Sequence, residues 1–186
     1  MIKMVKFVSQ LHMENLEAPC LNTAVISITA PGDHPARIKE GFNSVLRLQF
    51  DDLYEEIIHE AIGAIPDANP DGYVLWHNLR LPDANHAKAI LEFLDTLTCE
   101  RLIVHCHAGV SRSAAVAQFV SDKYNADLDG DTSCANKRLL RLLNKHNDCL
   151  ETWYGKYIPG GEMATVGDQD DFDFDFQWLN AQVKRK

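Results

Sequence analysis

The residues most able to do chemistry lie in one stretch, His105-Cys106-His107-Ala108-Gly109-Val110-Ser111-Arg112-Ser113. A cysteine opens a short loop, and an arginine follows where a helix can begin. The loop residues His107, Ala108, Gly109, Val110, Ser111 and Arg112 can turn successive backbone N–H groups into a concavity sized for an oxyanion. The positive end of a helix starting near Arg112 points at the same place. Gly109 supplies conformational freedom where the chain curls most tightly. Arg112 offers a planar fork that can engage two phosphate oxygens, which lysine cannot match. The same donors favour a thiolate over a thiol, so Cys106 is expected to ionise below the roughly 8.5 of a free cysteine. One arrangement can therefore bind a phosphate dianion and activate a nucleophile against it. Ser113 follows directly, placed to stabilise the thiolate when it is expelled again.

A bare C-x5-R spacing carries little information; its context gives it weight. Residues 101–105 (RLIVH) form a short, apolar, bounded run, as expected of a central buried strand. Residues 113–124 (SAAVAQFVSDKY) are small and apolar in their first turns, as suits a helix packed tightly on a sheet. Upstream, residues 4–9 and 23–29 read as strands, and residues 44–50 alternate like a strand with unlike faces. Asp83 or Asn85 can cap a helix over residues 86–97, and residues 135–145 form a further amphipathic helix. Residues 53–62 are a possible helix, 69–72 a turn and 73–77 a short strand. Alternation of strands and helices predicts an α/β fold, with a central, mostly parallel sheet flanked by helices and the Cys106 strand–loop–helix at its centre. The domain is expected over residues 1–158. The acidic, aromatic tail over 159–186 includes the run GDQDDFDFDF, best read as a segment that docks its aromatics on the domain.

Composition narrows the function. Eighteen basic against 27 acidic residues leave a net charge of −9, which argues against a nucleic-acid binder. The five cysteines are scattered without a C-x-x-C pair, and no signal peptide or membrane span is visible, so a cytoplasmic, reducing setting is expected. His105 and His107 flank Cys106, but successive strand side chains point in opposite directions and no second ligand pair accompanies them. No metal site is expected.

The segment from Val104 to Ser113 resembles the signature of the protein tyrosine phosphatase superfamily, especially its compact dual-specificity-like branch. Residues 45–52 (VLRLQFDD) are similar to the strand and acid loop that come earlier in that fold. The resemblance implies a two-step hydrolysis without metal or cofactor. Cys106 would form a phosphocysteine, Arg112 and the loop amides would hold the phosphoryl oxygens, and an aspartate would serve as acid and then base. Asp52 matches the acid position, with Asp51 as its neighbour and Asp83 as a third candidate. Compact members place the acid closer to the cysteine, so residues 53–81 would be an insertion near the pocket mouth. The loop has no lysine, unlike lipid-phosphatase relatives, so the expected substrate is a phosphorylated protein or peptide, phosphotyrosine first and phosphoserine or phosphothreonine second. Tyr54, Trp76, His77 and Trp153 are candidates to line the mouth, although a partly buried packing role is the better explanation of each. A non-catalytic phosphate-binding module and an RNA 5′-phosphatase are the competing readings.

Overall fold

In the computed structural model, residues 1–17, 21–54 and 79–155 are described, the last seven of these by backbone alone. Five strands, β1 (Met4–Ser9), β2 (Thr23–Thr29), β3 (Val45–Gln49), β4 (Arg101–Cys106) and β5 (Asp127–Asp129), form one sheet in the order β3-β2-β4-β1-β5. Every pairing is parallel. The helices are α1 (Gln10–Glu14), α2 (Ala84–Thr96), α3 (Arg112–Tyr124) and α4 (Lys137–Gly155). By contacts the chain divides into a compact unit, Met1–Leu150, and a second, Glu151–Lys186. The expected α/β architecture is present. The anticipated elements over 69–77, most of the helix over 53–62 and the tail lie outside the described residues.

Strand alternation decides what each face buries. On β4, Leu102, Val104 and Cys106 enter the larger core, which also takes Ile26 and Ile28 of β2. Three helices cover that face: Ile90 and Leu91 from α2, Ala115, Val116 and Ala117 from α3, and Leu139 and Leu143 from α4. The opposite face packs Val8, Val25 and Ile103 against Met13 of α1 and against Leu16, Ile38 and Phe42. A central strand covered on both sides must be apolar throughout, which is why β2 is buried along its whole length.

Two short elements were not apparent in the pattern. The five residues of α1 are too few to show a helical period, and Ser9 caps them by accepting from the His12 N–H at 3.2 Å. The three residues of β5 are likewise too short to show alternation; they pair with Met4–Lys6. The expected helix over 86–97 begins two residues earlier, at Ala84, because Asp83 and His86 form a reciprocal capping box.

Parallel strands all end on one edge, and this positions the site. Ser9 sits in register with Cys106, and Ser27 with His105, so the ends of β1, β2 and β4 converge. Ligands of parallel α/β sheets bind beyond the carboxyl ends of the strands. The small first turns of α3 let its backbone approach the sheet there. Ala115 has no exposed surface, so Ala115→Leu is expected to overpack the α3–sheet contact and destabilise the fold by about 1–3 kcal/mol, read as a lower urea midpoint.

Candidate active site

Strand β4 delivers Cys106 to the sheet edge, 1% exposed. Burial alone would push its thiol up, because a thiolate is poorly solvated there. Against that, the Ser113 hydroxyl lies 3.2 Å from Sγ and the Gly109 N–H donates to Sγ at 3.3 Å. With further N–H donors from Ser113 and Val110, these contacts outweigh burial and hold the thiol below its ordinary value. The cradle inferred for an oxyanion is formed around the sulfur itself.

Two features shape the loop. Gly109 has φ +71°, and a side chain there would bring Cβ within 2.3 Å of the Ser9 backbone nitrogen. The loop is therefore pressed against the end of β1, where Gln10 N–H donates to the His107 carbonyl at 3.2 Å. Only glycine satisfies both the positive φ and this approach. Ser111 occupies the N-cap position of α3 yet makes no side-chain cap. Its hydroxyl donates instead to Asp52 Oδ1 at 2.6 Å. With no Ser111 cap bound to them, the first N–H groups of α3 remain able to face an anion, and that of Ser113 already donates to the Cys106 sulfur.

Arg112 is the first residue of α3 and only 5% exposed. One terminal nitrogen donates to the Phe50 carbonyl at 2.7 Å, while Nε lies 3.8 Å from Asp52 Oδ2 and has no hydrogen-bond partner among the described residues. A buried guanidinium held at one end, with a further donor still unsatisfied, suits the fork proposed for phosphate.

The three candidate aspartates have different surroundings. Asp52 bonds directly to the loop through Ser111. Asp51 accepts from the Arg80 N–H at 2.7 Å and fastens residue 80 to the end of β3. Asp83 caps α2 through the Asn85 and His86 N–H groups, at 2.9 and 3.0 Å. Tyr54 is near the same corner, with Lys137 Nζ 5.9 Å from its ring centre. Trp76 and His77 lie outside the described residues, as does the side chain of Trp153. Nothing in the sequence pattern marks Asn136 as functional, yet its Nδ2 donates to Asp52 Oδ1 at 2.9 Å. The sequence pattern put it inside the helix expected over 135–145, whereas that helix begins at Lys137 and Asn136 precedes it.

His105 is fully buried, and desolvation lowers its pKa to about 4, so it is neutral at physiological pH. It pairs with Ser27 on the face opposite Cys106. As pH falls from 6.5 toward 4, the unfolded chain takes up a proton that folded His105 refuses, and this contribution to stability is lost. Among the described residues, no group of three His, Cys, Asp or Glu has the arrangement of a metal site, and no helix is long and apolar enough to cross a membrane.

Ser113→Ala removes a donor to the thiolate, so the pH midpoint for Cys106 alkylation by iodoacetamide should move upward toward that of a free thiol. Gly109→Ala should abolish binding of tungstate, a phosphate mimic, as read by thermal shift, because the loop cannot keep its curl beside Ser9.

No family model and no curated protein matches this chain. Among solved structures, a human tyrosine phosphatase-like serine/threonine/tyrosine-interacting protein is similar at 16% identity, over 69% of this chain and 78% of that one, with a TM-score of 0.33.

Proposed function

We propose that the protein is a cysteine-dependent phosphomonoester hydrolase acting on phosphotyrosine, and secondarily on phosphoserine or phosphothreonine, in proteins or peptides. The observation that carries this reading is the position of Cys106 Sγ. It lies within a loop of N–H donors at the uncapped start of α3, beside the buried guanidinium of Arg112. Such a site stabilises negative charge on the sulfur and on an incoming phosphate together.

In the first step, the Cys106 thiolate attacks phosphorus. The S–P bond forms, the P–O bond to the leaving group breaks, and Asp52 gives its proton to the departing oxygen. Arg112 and the amides of residues 107–112 hold the equatorial oxygens. Water then attacks the phosphocysteine while Asp52 accepts its proton. The S–P bond breaks, inorganic phosphate leaves, and Ser113 donates a hydrogen bond to the restored thiolate. Asp52 is preferred to Asp51 and Asp83 because it alone of the three bonds to the loop. The chemistry needs no metal or organic cofactor. A loop without lysine, on a chain of net charge −9, favours a phosphoprotein over a phosphoinositide or RNA end.

Hydrolysis of p-nitrophenyl phosphate and of a phosphotyrosine peptide by the wild type, lost in Cys106→Ser, is the expected result. Asp52→Asn should lower kcat by about 100-fold or more and remove the basic limb of the pH profile, whereas Asp51→Asn and Asp83→Asn keep that limb. Absence of any wild-type turnover from acid to neutral pH would instead favour a phosphate-binding module.

A further inference from the structure

Asn136 precedes α4 and is completely buried. Its Oδ1 accepts from the Leu139 N–H at 3.0 Å, which is N-cap chemistry. Serine, threonine or aspartate would meet that need equally well. The amide nitrogen is not required for the cap. Its two hydrogens go elsewhere, to Asp52 Oδ1 at 2.9 Å and to the Leu53 carbonyl at 3.3 Å. The backbone N–H of Asn136 also donates to the Ser111 carbonyl at 3.1 Å. One residue thus joins the segment after β3, the Cys106 loop and the start of α4.

We propose that Asn136 is the positioning residue that fixes Asp52 over the Cys106 loop, a role that rests on the phosphatase reading for its catalytic consequence. Asp52 Oδ1 is occupied twice, by Ser111 Oγ at 2.6 Å and by Asn136 Nδ2. That leaves Oδ2, 3.8 Å from Arg112 Nε, as the oxygen through which the proposed proton transfer would run. Without the Asn136 amide, Asp52 keeps the Ser111 hydroxyl bond and the Arg112 ion pair but loses its tether to α4, and residue 53 loses one as well. Asparagine is required over aspartate because a second carboxylate here would offer no donor and would repel Asp52.

Asn136→Ser separates the two roles, since serine retains a cap but cannot donate across to Asp52. The expected result is a kcat about tenfold lower with KM little changed, in line with a lost hydrogen bond to a charged group. In an Asp52→Ala background, the same substitution should change kcat by less than about twofold, because its target is gone. Equal losses in both backgrounds, or an unchanged kcat in Asn136→Ser, would overturn the proposal. A second cycle needs no turnover: urea midpoints of wild type, Asn136→Ser, Asp52→Ala and the double variant. Non-additive midpoints support the tether, and additive ones refute it. If the wild type hydrolyses nothing, the phosphatase reading fails while the urea cycle still decides whether Asn136 holds Asp52.

Discussion

The described site depends on one conflict: Cys106 is buried, yet its surroundings favour a charge on the sulfur. Burial by itself would keep the thiol protonated and inert. Directed donors reverse that outcome, because N–H groups from Gly109, Val110 and Ser113 converge on Sγ together with the Ser113 hydroxyl. These donors come from a loop that cannot hold this shape alone. Its curl requires the positive φ of Gly109, and its position is fixed by the end of β1 against the glycine's missing side chain. The parallel pairing of β1 with β4, in register from Met4–Arg101 to Ser9–Cys106, is thus part of the chemistry as well as of the fold.

A second constraint concerns the cap of α3. Ser111 has the residue type and position to satisfy the helix end, and in an ordinary helix it would do so. Here its hydroxyl turns away to Asp52. The cap stabilisation forgone is about 1 kcal/mol, and amides that can bind an anion are left uncapped in return. Replacing a local bond by a functional one is typical of sites where local preference and global fold disagree. The local field at this loop comes from aligned amides and one arginine, and owes little to the net charge of the chain.

How much of this was legible in the sequence depends on the range of each interaction. The Cys106 loop was readable because strand, turn, arginine and small-residue helix are contiguous, and each residue type states its own role. The helix over 84–96 was readable because Asp83 and the apolar period are local signals. Asn136 was not, because its partner Asp52 is 84 residues away and a place inside the expected helix over 135–145 accounted for it. Phe50 was hidden for a different reason: it contributes a backbone carbonyl to Arg112, and a carbonyl has no residue type. The brevity of α1 and β5 concealed them, since neither spans enough residues to display a period.

The position of Asp52 follows from the same topology. Among the described strands β3 is at an edge, next to β2 and two strands away from the strand of Cys106, so the ladder alone does not bring an aspartate beyond its end to the loop. To stay at the Cys106 loop it is held by groups outside the sheet. Ser111 supplies one from the loop and Asn136 another from α4, while Arg112 reaches back to the Phe50 carbonyl two residues earlier. Each contact ties a segment after β3 to the elements that follow β4. An edge strand alone could drift or fray; cross-linked in this way, its end becomes part of the loop's rigid surround. The acid candidate is therefore positioned by the loop and by α4, and β3 itself only delivers the chain to the right corner.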